Sequence, residues 1–212
     1  MVRLLLGSLE KLVEVDRAKD REAKEAVNFR ARLLGLIYEG LLEQWFEESG
    51  YEVKNRDVRR GLYRDPKEGD KKVAVDFILK RKSCGKRFIV EAKCWPSYNE
   101  GKFKILTLNT FKNLMRRKGR NGLKLFLRRD FLNKYTLDGK KFDGKILVWW
   151  DVKEEDVEAI KQQTGLSEIV ELKTILKSET HKFRKRLEKY EKWTREFFQA
   201  LKEKNMLLQR SH

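Results

Sequence analysis

Asp76, Glu91 and Lys93 are the residues of this chain whose types and spacing suit chemistry. The stretch "FIVEAKCW", residues 88–95, opens as an apolar run and then places an acid and a base two positions apart. On a strand, residues i and i+2 share a face, so Glu91 and Lys93 point the same way at the end of what reads as a core strand. Asp76 interrupts an earlier apolar strand, "VAVDFILK", between Val75 and Phe77. A charge in that setting is costly unless it is paired or binds a metal. If the two strands are antiparallel neighbours across the turn "RKSCGK", the three side chains converge. Two carboxylates would then ligate a divalent cation with an amine beside them. Such an ion lowers the pKa of a water and offsets charge on a phosphate in transit. The amine can orient or deprotonate that water, or stabilise the developing charge. Spacing alone leaves a second reading open: an ordinary Glu–Lys pair on a solvated face, with Asp76 at a strand edge.

Composition narrows the partners. The 212 residues carry 50 Lys and Arg against 33 Asp and Glu, a formal charge of +17. Such a surface attracts polyanions, nucleic acid ahead of anionic membrane, and a structural RNA-associated basic protein is the plainer alternative. No run approaches a membrane span and the N-terminal stretch is unlike a signal peptide, so a cytoplasmic protein with no membrane partner is expected. Cys84 and Cys94 form no CxxC, and His181 and His212 are the only histidines. That scarcity argues against chemistry built on several histidines or on a structural zinc. Any metal must be held by carboxylates, which favours Mg2+, with Mn2+ as the substitute.

The elements that must position these residues follow from periodicity. Residues 20–48 read as one long helix, with Val27, Leu34, Ile37, Leu41 and Trp45 on one face and Gly50 as its C-terminal glycine. "YEVKNRDV" is a predicted strand, and "GLYRDPKEGDKK" is turn-rich. After the two strands already named, "ILTLNTFKNLMRRK" is a predicted helix, "GLKLFLRRDF" and "KILVWWDV" are predicted strands, and "KEEDVEAIKQQTG" is a predicted helix. The segment from Thr180 reads as a long helix with a heptad-like seam through Phe183, Leu187, Tyr190, Thr194, Phe197 and Leu201. That seam either packs on its own domain or pairs two copies. The expected division is an N-terminal segment, 1–19, a core, 20–165, and a C-terminal helical extension, 166–212.

With these residues placed, the chain resembles the PD-(D/E)XK nuclease superfamily, which includes restriction endonucleases and junction resolvases. The likeness covers about residues 33–151. Asp76 matches the motif aspartate, Glu91 its second acid and Lys93 its lysine; Glu39, on the leading helix, matches a further metal-site glutamate. Val75 stands where the motif's proline would be. The acids of the preceding loop, Asp65 and Asp70, are set aside as solvated. The resemblance implies an α/β fold with an α-β-β-β-α-β core around a mixed central sheet. The N-terminal helix and the long C-terminal helix add to it. It also implies magnesium-dependent phosphodiester hydrolysis, with Asp76, Glu91 and Glu39 as metal ligands.

A basic cluster supports DNA as the substrate: Lys112, Arg116, Arg117, Lys118, Arg120, Lys124, Arg128 and Arg129. It follows the catalytic strand and is expected to neutralise backbone phosphates. A solvated helix face is the alternative. The favoured reading is a restriction or defence-type DNA endonuclease acting as a homodimer. A junction resolvase or repair nuclease, and a catalytically silent nucleic-acid-binding subunit of the same fold, are its rivals.

Overall fold

In the computed structural model the described residues are 35, 37–55, 59–66, 69–93, 105–116 and 121–178, with scattered positions between 183 and 199. The chain divides into two compact units, Ala31–Thr174 and a second made of Met1–Arg30 with Ile175–His212. The larger unit is mixed α/β. Helix α1, residues 37–48, ends on Gly50, whose φ of 86° is a left-handed value that glycine adopts without cost. There follow β1 (Tyr51–Asn55), β2 (Arg59–Tyr63), β3 (Lys71–Val75), β4 (Phe77–Arg81), β5 (Arg87–Lys93) and the short β6 (Ile105–Leu106). Next come helices α2 (Leu108–Arg116), α3 (Asn121–Phe126) and α4 (Phe131–Lys134), then β7 (Tyr135–Thr136), β8 (Gly144–Trp149) and β9 (Asp151–Val152). A 3-10 turn (Glu154–Asp156), α5 (Val157–Thr164), β10 (Glu168–Glu171) and α6 (Leu172–Ser178) complete the series.

The central sheet has the order β1-β4-β5-β8-β10. Its β1–β4 and β4–β5 pairs are antiparallel; β5–β8 and β8–β10 are parallel. The parallel half is buried on both sides, as such sheets require, and β8 reads accordingly as "GKILVW" with every residue buried. On one face Phe77 meets Phe46 of α1 at 6.0 Å between rings, and Phe88 meets Tyr51 at 5.9 Å. On the other, Ile78, Ile89, Leu147 and Trp149 join Phe111, Leu114, Leu123, Phe126, Phe131 and Tyr135 in one continuous core. A second sheet, β3-β2-β7, contributes Tyr63, Val73 and Val75 to that same core.

Several expectations need correcting. "VAVDFILK" is two strands: the chain bends at Asp76, β3 pairing with β2 and β4 with β1 and β5. β2 lies where only turn signals were legible. Its Gly61 reflects a close approach, since a Cβ there would lie 2.3 Å from the Tyr135 ring. "GLKLFLRRDF" is helical in α3 and the start of α4, because Leu123, Phe126 and Leu127 fall at helical spacing on the buried side. Ile105 and Leu106 pair with β9 and α2 starts only at Leu108, where the Thr107 hydroxyl accepts the Thr110 N–H at 3.0 Å. The expected helical stretch 20–34 lies outside the described residues. So does most of the C-terminal helix and its seam, although the described positions between 183 and 199 are helical.

Asp65 is the firmest correction. It is 4% exposed, with its Oδ2 2.9 Å from Lys134 Nζ and 3.6 Å from Arg128. The Tyr63 hydroxyl lies 3.5 Å from the same oxygen. This buried carboxylate ties the loop after β2 to α4 through charge-assisted hydrogen bonds to cations that themselves stay partly exposed. Asp65→Ala should cost about 2 kcal/mol of unfolding free energy, read as a lowered midpoint in urea, whereas Asp70→Ala at an exposed position should leave it unchanged.

Candidate active site

The strand bend builds the site. Asp76 keeps the ladder for one more bond, its N–H donating to Val90 O at 2.9 Å, while the chain turns away towards β3. β5 continues beyond this point, so the Ala92 N–H meets no strand carbonyl from β4. The Asp76 side chain takes the vacant place: its Oδ2 accepts the Ala92 N–H at 2.6 Å. One carboxylate is thereby fixed against the backbone between Glu91 and Lys93. Glu91 and Lys93 leave β5 on the same face, and Lys93 Nζ lies 2.6 Å from Glu91 Oε1 and 3.8 Å from Asp76 Oδ2. The same ammonium donates to Ala92 O at 3.2 Å.

The environment shifts Glu91 strongly. Its residue is 7% exposed, and burial pushes the carboxyl up to about 7. The Lys93 ammonium pulls in the opposite direction by charge and hydrogen bond, and the neighbouring Asp76 charge adds to the rise. Lys93 is the most exposed of the three, at 29% of its side chain, and so lies on the open side of the pair.

Three oxygens, Glu91 Oε1, Ala92 O and Asp76 Oδ2, surround one point that the ammonium holds. Hard divalent cations take oxygen ligands of these kinds, so the donor set fits magnesium or manganese. Glu39 is half-buried on α1 and does not join Asp76 and Glu91 in a set of three carboxylates. Among the described residues, no group of three or more His, Cys, Asp and Glu side chains is gathered so as to hold a metal ion.

The basic cluster is divided. Lys112 and Arg116 are exposed one turn apart on α2, opposite the buried Phe111 and Leu114. Arg129 is exposed, and Lys124 is half-buried on α3. Arg128 faces Asp65 at 3.6 Å and is a structural partner of that carboxylate. Arg117, Lys118 and Arg120 lie outside the described residues.

Lys145 is a charged residue that periodicity and motif spacing did not single out. It is fully buried in β8, and its Nζ donates to Phe126 O and Arg128 O, both at 2.6 Å, closing the C-terminal end of α3. Phe126 and Phe131 each present a ring 5.6 Å from the nitrogen. A lysine inside the otherwise apolar run "GKILVWW" was the available signal.

No family model matches the chain, and neither does any curated protein or solved structure. Among the described residues no helix is long and apolar enough to cross a membrane.

Burial pulls the Lys145 ammonium down to about 7, with the more distant Asp130 charge opposing. The unfolded chain holds this proton to about pH 10.4, so between pH 7 and that value the unfolded state binds more protons than the folded one. Stability from this group therefore rises with pH across the window, by at most about 1.4 kcal/mol per pH unit. Lys145→Met should flatten that rise, measured as urea midpoints from pH 7 to 10. An identical slope in the variant would show that Lys145 is not the group that titrates.

Proposed function

We propose that the protein is a divalent-metal-dependent DNA endonuclease of the PD-(D/E)XK kind, of restriction or defence type. The observation that carries this reading is the meeting of Asp76, Glu91 and Lys93 at one strand end, with Lys93 Nζ spanning both carboxylates. The order α1, β1, β4, β5, α2 and β8 around a mixed sheet supports the restriction-endonuclease-like core. The formal charge of +17 and the exposed Lys112, Arg116 and Arg129 suit a polyphosphate substrate.

Asp76, Glu91 and the Ala92 carbonyl would hold the ion, and a bound divalent cation supplies a more acidic water and neutralises charge on the scissile phosphate. Every other role belongs to the chain. The Asp76–Ala92 hydrogen bond keeps the first carboxylate and the β5 backbone in fixed register, which spares reorganisation during reaction. Lys93, partly exposed, orients the attacking water and stabilises the extra negative charge as its oxygen bonds to phosphorus. The attacking water releases its proton to solvent, one P–O ester bond breaks, and the departing oxygen takes up a proton from solvent.

Cutting both strands of a duplex is most simply done by two related sites, so a homodimer belongs to the proposal. A silent DNA-binding subunit is the second reading, favoured by the lack of a third gathered carboxylate among the described residues. Supercoiled plasmid and a four-way junction, each with magnesium, manganese or chelator, separate nuclease from binder and duplex cutter from resolvase. Asp76→Ala and Glu91→Ala should abolish nicking and leave duplex binding in chelator intact. Lys93→Ala should retain metal binding and lose roughly 10²- to 10⁴-fold in rate, with Lys93→Arg recovering only part. Loss of nicking in Asp70→Ala but not in Asp76→Ala would relocate the site, and a wild type that never nicks would favour the silent subunit.

A further inference from the structure

The turn between β4 and β5 lies at the opposite end of these strands from Asp76 and Glu91. Between Lys80 and Arg87 the chain reads "KRKSCGKR", with five cations and no acid. The turn is closed by backbone hydrogen bonds, Gly85 N–H to Arg81 O and Arg81 N–H to Lys86 O, both 2.8 Å, with Gly85 at a φ of 72°. Its cations are therefore held on a defined hairpin.

The side chains are also pre-positioned. The Arg81 guanidinium lies 5.1 Å from the centre of the Tyr51 ring and 5.7 Å from that of Phe88, and donates to the Tyr51 hydroxyl at 2.7 Å. Arg87 lies 4.8 Å from the Phe142 ring. Lys82 and Lys86 are exposed between them. Glu52, the carboxylate whose charge Lys80 and Lys82 stabilise, is already ion-paired with Lys54. Tyr51, Phe88 and Phe142 are themselves buried, at 4%, 8% and 8% exposure. The tip thus offers cations without an exposed aromatic or aliphatic wedge. That chemistry fits phosphodiester oxygens better than a lipid surface, which binds by inserting apolar side chains as well as by charge.

We propose that the β4–β5 tip is a second DNA-backbone contact, separate from the strand end that carries Asp76 and Glu91. Five residue steps from Lys86 to Glu91 put the two about 16 Å apart, so the tip holds a different stretch of phosphates from the one being cut. It adds affinity and leaves the chemical step alone. The substrate class rests on the nuclease reading, but the binding does not require cleavage.

The test is fluorescence anisotropy of a labelled duplex several turns long, in chelator, over a salt series. Lys82→Gln with Lys86→Gln should weaken binding roughly tenfold at moderate salt and reduce the salt slope by about 0.9 for each phosphate no longer neutralised. Lys153→Gln with Lys161→Gln removes the same charge from lysines already paired with Glu155 and Glu158 and should change little. Lys82→Arg with Lys86→Arg should bind as wild type, which guards against a folding defect. With magnesium, the Gln pair should raise KM and keep kcat. Equal weakening in the two Gln pairs, an unaltered slope, failure of the Arg pair to bind, or binding to anionic vesicles without binding to duplex would each overturn the proposal. A wild type that binds through the tip yet never cuts would end the nuclease reading and leave this contact standing.

Discussion

A single hydrogen bond, from the Ala92 N–H to Asp76 Oδ2, sets the conditions for the rest of the site. At Asp76 one strand stops serving the central sheet and starts serving the smaller one, while its neighbour β5 runs on. Leaving a sheet in this way orphans a backbone donor, and a buried orphan is expensive. An acid at the bend answers the deficit and, in doing so, is held beside Glu91. The split into two sheets and the pairing of two carboxylates are one event. Substituting an apolar residue at the bend would remove the acceptor and the charge together, so structure and chemistry are coupled at this position.

The buried and half-buried charges fall into two sorts. Asp65 and Lys145 are enclosed by partners from other elements: Asp65 by Lys134, Arg128 and Tyr63, Lys145 by two carbonyls and two aromatic rings. Their partners join α4 to β2 and α3 to β8, and they act as fasteners between layers. Glu91 is compensated by a lysine that is itself partly exposed, beside a second carboxylate that works against it. Glu91 thus faces a like charge as well as an opposite one. A fastener with such a balance would be a bad choice for stability alone, since breaking even with an apolar replacement already demands good geometry.

Much of this was legible in the sequence, for reasons that differ by element. β5 and β8 are continuous apolar runs, and Glu91 and Lys93 interrupt a pattern strong enough to make the interruption visible. Asp76 was legible for the same reason, although the bend was not, because alternation continues across it in "VAVDFILK". β2 was hidden since Gly61 answers to the Tyr135 ring, a partner 74 positions away that no local pattern reveals. Asp65 looked like a loop acid beside Pro66; its partners Arg128 and Lys134 come from another part of the chain, and only their convergence makes it a core residue. α3 was misread because a short "LKLFL" alternates as a strand would. The period that prevails is the one that lets Leu123, Phe126 and Leu127 reach the same core, with Lys145 taking the carbonyls that the helix end exposes.

The position of Lys93 explains why an acid and a base stand side by side at the end of a buried strand. Alone, Glu91 would be a desolvated carboxylate next to a second one, and its proton would be the cheapest remedy. The ammonium is an alternative counter-charge built into the chain, two residues on and on the same face. Its four-carbon stem lets it reach three oxygens at 2.6, 3.2 and 3.8 Å while keeping a path to solvent. Arginine's planar fork would bind the two carboxylates more tightly and could not contract to a point charge. The spacing of one residue between Glu91 and Lys93 thus sets the ammonium on the same face as the carboxylate pair, where it offsets one of the two negative charges.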